Sequence, residues 1–238
     1  MEKIKVEMTE YWSQRVEKFS ELRMKELNED INLRWLAEFN KYLPADKKLK
    51  ILDIGTGTGY FCFLLSKEGH DMTGVDITEA MIEEAKALSE KLNLPAEFYV
   101  MDAENLDFEE GTFDAIVTRN LTWCLPNLEI AYKNWKPLLK EGGVLINFDA
   151  DYCREDNSKE LPENHSHKEI NPDLCMEYEC MKDDLRPRQN PRPKWDLEIL
   201  SRLGFKDVRV DDSVYKRIYL NFDEFYNPTP IFTIVARK

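Results

Sequence analysis

Apolar residues recur at intervals of three, four or five between residues 9 and 43, with charges between them: Tyr11, Trp12, Val16, Phe19, Leu22, Leu27, Ile31, Trp35, Leu36 and Phe39. That spacing predicts helix, and Pro44 ends the region. The pattern then changes. Short apolar runs at 49–54, 71–76, 97–101, 113–118 and 143–148 read as strands. Helical stretches at 60–68, 79–92 and 128–139 lie between them, and Thr78 is placed to cap the second. Strand and helix in alternation predict a parallel sheet with helices on both faces. Connections in such sheets are right-handed, so the loops at the carboxyl ends of the strands share one rim, where ligands bind.

The alternation breaks at 150–194, a stretch with five prolines and many charges, in which the spacing of Leu174, Tyr178, Met181 and Leu185 predicts a helix over 173–185. It resumes with a helix at 196–203, which Gly204 terminates, and with strands at 208–211 and 231–236. The fold class is thus α/β, a doubly wound, mostly parallel sheet of seven strands. One domain spans 1–238: helical cap 1–46, core 47–149, inserted lid 150–194 after the fifth strand, and closing helix and strand hairpin 195–238.

The chain has 238 residues, with 33 Lys+Arg against 46 Asp+Glu, a formal net charge of −13. Such an acidic chain repels phosphate backbones, which argues against nucleic acid or anionic membrane as partner. No apolar run approaches the ~18 residues of a membrane span, and no export signal is visible. Five cysteines without an export signal fit reduced thiols in a cytoplasm. A monomer or homodimer is expected.

The most informative segment is Asp53-Ile54-Gly55-Thr56-Gly57-Thr58-Gly59-Tyr60, which follows a strand and opens a helix. Its glycines let the chain turn sharply and let a ligand approach the backbone. Asp76 ends the next strand, where a carboxylate can accept from two ribose hydroxyls. A dinucleotide loop would carry its third glycine at position 60, where Tyr60 stands. Asp53 beside the loop suits a ligand with a cationic end better than a phosphate.

This run resembles the first motif of class I methyltransferases that depend on S-adenosylmethionine. The likeness continues in Val75-Asp76-Ile77-Thr78-Glu79-Ala80-Met81, in Met101-Asp102-Ala103-Glu104, in Phe113-Asp114-Ala115-Ile116-Val117 and in Leu138-Leu139-Lys140-Glu141-Gly142-Gly143. The R-N-L-T-W run from Arg119, with Tyr11-Trp12 and Arg192-Pro193-Lys194-Trp195, resembles a poorly characterised bacterial and archaeal small-molecule subgroup. The resemblance implies S-adenosylmethionine as cofactor. Asp53, Gly55, Gly57 and Gly59 would hold its methionine part and Asp76 its ribose. Asp102 and the backbone N–H of Ala103 would reach the adenine, against which Ile77 would pack, with Met81 in the same motif. Asn120 and Leu121 would meet the amino end through their backbone. The product would be S-adenosylhomocysteine.

The acceptor side is less constrained. The Asn/Asp-Pro-Pro-aromatic run typical of enzymes that methylate planar amino groups is missing after residue 118. Trp123 is either a wall of the acceptor pocket or packing under the rim. Tyr11 and Trp12 lie either on a helix that closes over the cofactor or on a plain amphipathic face. Tyr152 joins Trp12 and Trp123 as a candidate substrate contact. Asp149, Tyr11 and His165 are the catalytic candidates, with His167 and Asp151 as further bases. Asp149 sits at the carboxyl end of a strand, but could equally hold loop amides. The lid carries Cys153, Cys175, Cys180, His165 and His167, five of the eight Cys and His residues. Their spacing matches no structural zinc template, so no metal is expected. The lid's 11 acidic against 7 basic residues over 151–193 favour a cationic or neutral acceptor. The expected function is methyl transfer to O, N or S of a small molecule. The rival readings are a non-catalytic binder of the cofactor and a methyltransferase acting on protein or RNA.

Overall fold

The computed structural model describes residues 2–154, 160–165, 168 and 170–238. Seven strands form one sheet: β1 (Lys50–Ile54), β2 (Asp71–Asp76), β3 (Ala96–Val100), β4 (Phe113–Arg119), β5 (Leu139–Asp149), β6 (Lys206–Asp211) and β7 (Phe232–Arg237). Their order is β3-β2-β1-β4-β5-β7-β6. Strands β1 to β5 pair in parallel, and β7 runs antiparallel to β5 and β6. The mostly parallel, seven-stranded expectation therefore holds.

The N-terminal helical region divides into α1 (Glu2–Ser13), α2 (Val16–Asn28) and α3 (Ile31–Phe39). The core helices are α4 (Tyr60–Lys67), α5 (Glu79–Leu92) and α6 (Leu128–Leu138). The lid carries α7 (Pro172–Leu185), and α8 (Lys194–Arg202) and α9 (Val214–Ile218) follow. Thr78 precedes α5 but its side chain makes no cap bond; Asp76 accepts the Thr78 N–H instead, at 2.9 Å.

Two apolar layers cover the sheet. On one face Trp35 and Phe39 of α3, Phe61 of α4 and Phe148 of β5 meet edge to face, with centroids 4.8–6.0 Å apart. Such pairs add about 0.5–1.5 kcal/mol each beyond their burial. On the other face, α6 and α8 bury Leu128, Tyr132, Trp135, Ile199 and Leu200 against Leu52, Ile116 and Leu145. The strand period of two decides which residues face which layer. Ala115 and Val117 belong to the first layer and Ile116 to the second; Ile146 and Phe148 belong to the first and Leu145 to the second. This parity sets the direction of the charged residues at the strand ends.

Candidate active site

Where β1 ends, the chain turns through Gly55, Thr56, Gly57, Thr58 and Gly59 into α4. Gly55 has φ +71°, and a Cβ there would lie 2.8 Å from Leu121. Only glycine fits both the backbone and the space. Gly59 has φ +90° and packs on Phe63 and Phe98, so it shapes the turn from the core side, while Gly55 and Gly57 line the cavity above the loop.

That cavity has a volume of about 640 Å³. Asp53, Asp76, Ile77 and Met81 line it from the core, Asn120, Leu121 and Trp123 from the loop after β4, and Tyr152 from the loop after β5. Tyr11, Trp12 and Phe19 of the N-terminal helices and Cys175 and Tyr178 of α7 close it from above, with His165 at the lid side. Their rings touch in series. Tyr11 meets Trp12 at 5.2 Å and Tyr178 at 5.6 Å, Trp12 meets Phe19 at 5.5 Å, and Trp123 meets Tyr152 and Tyr178 at 5.4 Å.

Asp53 is buried, and its Oδ2 accepts from Thr56 Oγ1 at 2.7 Å and from Cys62 Sγ at 3.7 Å. Burial pushes its carboxyl up to about 7. Asp76 accepts the N–H groups of Gly57, at 3.0 Å, and Thr78. Burial raises it too, although these backbone donors partly offset the effect. Among the described residues neither carboxylate stands in an ion pair. The Thr78 hydroxyl is buried beside Asp76. This wall suits a ligand that brings positive charge and hydroxyl donors.

Asp102 and Ala103 border a second, smaller cavity of about 40 Å³ with Ile77, Met8 and Lys5. Lys5 Nζ donates to Asp102 at 2.6 Å and to Glu104 at 2.7 Å, tying α1 to this turn. Sequence reasoning missed Lys5, because one cation on an amphipathic helix resembles a solvated residue.

Asn120 has φ +54°, and its carbonyl accepts from Trp123 Nε1 at 2.9 Å. Its Oδ1 accepts from Tyr152 Oη at 3.0 Å. The Leu121 carbonyl accepts from Cys124 N–H and Sγ, both at 3.0 Å. These bonds fix the loop that carries Trp123. Tyr11 is buried, its hydroxyl accepts from Arg15 at 2.9 Å, and burial holds its phenol above the usual range. His165 Nε2 bonds the Tyr226 carbonyl at 2.7 Å, and burial holds the imidazole below its ordinary value.

Asp149 corrects an expectation. It shares the strand parity of Leu145 and Asn147, so it faces α6 and α8 and does not line the cavity. Its Oδ2 accepts from Thr122, from Trp123 N–H at 2.9 Å and from Arg192 Nη1 at 3.1 Å. Arg192 also grips Asp196, at 2.6 Å and 2.9 Å. Fully buried and fully engaged, Asp149 is a brace for the Trp123 loop and not a base open to substrate. His167 lies outside the described residues. Among the described residues no three His, Cys, Asp or Glu side chains converge to hold a metal ion, and no helix is long and apolar enough to cross a membrane.

The comparisons with known proteins agree with this geometry. A family model described as a methyltransferase domain matches residues 45–192. The ubiquinone biosynthesis O-methyltransferase of Coxiella burnetii is 34% identical over 109 residues, 44% of this chain and 47% of that protein. The chain spans about half the length of the ubiquinone biosynthesis O-methyltransferases that it matches. Among solved structures, a SAM-dependent methyltransferase from Aquifex aeolicus superposes with a TM-score of 0.57 at 19% identity, over 87% of this chain and 88% of that one. The phosphoethanolamine N-methyltransferase 2 of Haemonchus contortus, in complex with S-adenosyl-L-methionine, gives 0.60 at 18% identity over 85% and 51%. These two likenesses are of fold. The family model covers more than half of the chain, so the chain belongs to the S-adenosylmethionine-dependent methyltransferases.

Proposed function

We propose that this chain transfers the methyl group of S-adenosylmethionine to an oxygen, nitrogen or sulfur atom of a small molecule. The observation that carries the reading is the aromatic-roofed cavity seated on the glycine loop. Its volume of about 640 Å³ lies within the roughly 300–1,000 Å³ usual for small-molecule sites. Tyr11 and Trp12 of α1 and Tyr178 of α7 roof the cavity with rings, which suits a small acceptor. The kinship with ubiquinone O-methyltransferases favours oxygen as the acceptor atom.

The residues present fit the cofactor. Asp53 and Asp76 are raised by burial and stand in no ion pair among the described residues. Asp76 would hold the ribose, Asp53 the cationic end, and Ile77, Asp102 and Ala103 the adenine side. When bound, the cofactor supplies a methyl group already activated on a sulfonium centre. The protein must then hold the acceptor in line, exclude water and take up a proton where the acceptor carries one. The ring series Tyr11, Trp12, Trp123, Tyr152 and Tyr178 supplies apolar walls. His165 lines the cavity, is held below its ordinary value by burial and gives its Nε2–H to the Tyr226 carbonyl. It replaces Asp149 as the candidate base.

A screen of phenols, hydroxy acids, amines and thiols for release of S-adenosylhomocysteine tests this reading. Turnover on a small acceptor, lost in Asp76→Ala with the fold retained, is the expected result. Tight cofactor binding without turnover on any class of acceptor would favour a cofactor-binding protein without catalysis.

A further inference from the structure

The segment between α9 and β7 reaches the large cavity, where Glu224, Phe225, Tyr226 and Asn227 form part of the lining. Asn227 is held on several sides. Its Oδ1 accepts the Thr229 N–H at 3.0 Å, and its carbonyl accepts from Tyr215 Oη at 2.9 Å. The lid fixes the residue before it, through the bond from His165 to the Tyr226 carbonyl at 2.7 Å. With Oδ1 turned to Thr229, the amide nitrogen faces Tyr152, and Nδ2 donates to its hydroxyl at 2.8 Å. That hydroxyl donates in turn to Asn120 Oδ1 at 3.0 Å. A row of polar groups, Asn120, Tyr152 and Asn227, thus runs along the cavity beside the Trp123 and Tyr178 rings.

The row has a direction. Both amides commit their oxygens to hydrogen bonds, at Thr229 and at Tyr152. Among the described residues, no acceptor meets the second N–H of Asn227 or either N–H of Asn120. The amide nitrogen is a donor only. The row therefore offers N–H groups to whatever occupies the cavity. A ligand that shields such an N–H without accepting from it loses binding energy.

We propose that Asn227, aligned by Tyr152 and Asn120, is a specificity-determining residue that binds the methyl acceptor through an oxygen and so selects hydroxyl compounds over amines. The proposal rests on the transfer reading above and narrows its acceptor atom. A hydroxyl oxygen has two lone pairs. One accepts from Asn227 and the other meets the methyl carbon. As the O–C bond forms, the S–C electron pair returns to sulfur and the hydroxyl proton passes to the base. A protonated amine carries donors alone, as an ammonium does, so it would set N–H against N–H. A thiol is a weak partner for the same donor. A site built to hydrogen-bond one group discriminates against analogues that cannot return the bond.

The test is the screen of phenols, hydroxy acids, amines and thiols, run on the wild type and on Asn227→Asp with release of S-adenosylhomocysteine as readout. The aspartate can still accept from Thr229 but has no N–H to give. The wild type should favour hydroxyl compounds over ring-matched amines by about tenfold or more in kcat/KM. Asn227→Asp should lose most of that preference, while its affinity for S-adenosylmethionine, measured by titration, stays within about twofold. A wild-type preference for amines or thiols would overturn the proposal. So would a variant that keeps its turnover of hydroxyl compounds, or one that loses hydroxyl and amine turnover alike. Should Asn227→Asp fail to fold, as judged by circular dichroism, Tyr152→Phe keeps the ring, unhooks Asn227 and should show the same loss of preference. Turnover on no class of acceptor would sink the transfer reading itself, and this proposal with it.

Discussion

Asp53 gives the sharpest consequence at the scale of a residue. An unfolded aspartate ionises near 3.9, whereas burial holds this one up to about 7. Between those values the folded chain holds a proton that the unfolded chain has lost. The group's contribution to stability therefore falls as pH rises from about 4 to about 7. A cationic ligand beside it reverses the preference and drives the proton off. S-adenosylmethionine binding near pH 6 should release up to about one proton, and binding well above pH 7 almost none. Calorimetry in buffers of different ionisation heat measures this, and proton release that does not change with pH would remove Asp53 from the cationic end. Gly55→Ala is a second test. With φ at +71° and Leu121 at 2.8 Å, the substitution should cost about 1–3 kcal/mol in thermal unfolding and weaken cofactor binding.

Legibility at this scale followed the kind of signal. Asp53, Asp76 and the glycines stand at fixed offsets from a strand end, so the sequence alone places them at the loop. Asp149 differs because strand parity turns alternate residues to opposite layers, so a place at a strand's carboxyl end does not by itself aim a side chain at the rim. Glu26, Arg23 and Lys5 sit on amphipathic helices. There a charge with a buried partner and a solvated charge look the same until the tertiary contact is known.

At the scale of elements, α1 is the part whose docking the sequence left open. The chain folds it over the cavity above the glycine loop and ties Lys5 to Asp102 and Glu104. Lys5→Met should raise amide exchange across residues 2–13 and lower stability by only about 1 kcal/mol or less, because the pair is partly exposed. Unchanged exchange there would show that the apolar contacts of Ile4, Met8 and Tyr11 hold α1 without the ion pair. The division of the cap into three helices was not legible. Its breaks at Gln14-Arg15 and Glu29-Asp30 carry neither Gly nor Pro. The short α9 was missed because five residues show no period.

Across the whole molecule, one buried network joins parts far apart in sequence. Arg192 at the end of the lid holds Asp149 of β5, Asp196 of α8 and Thr122 of the loop that carries Trp123. Removing the cation strands two buried carboxylates. Arg192→Met should therefore destabilise by roughly 3–5 kcal/mol in denaturant unfolding, and a loss under about 1 kcal/mol would show that the network is not a brace. The net charge of −13 is now partly placed. Asp53 and Asp76 face the cavity, Asp149 and Asp196 answer Arg192, and Glu26 answers Arg23 and Arg119. Overall acidity says little about the ligand, since the cavity wall carries both signs. The doubly wound, mostly parallel sheet of seven strands was legible from strand–helix alternation, which leaves few topologies. Helix α7 of the roof was legible at 173–185, but its docking against α1 was not, because that contact is tertiary.

The most direct test is thermal unfolding of the wild type and of Asp76→Ala with saturating S-adenosylmethionine and, separately, with NAD. S-adenosylmethionine should raise the wild-type midpoint markedly, as a ligand bound only to the folded chain must. NAD should leave it unmoved, and Asp76→Ala should lose the response. Stabilisation by NAD with none by S-adenosylmethionine would contradict the account.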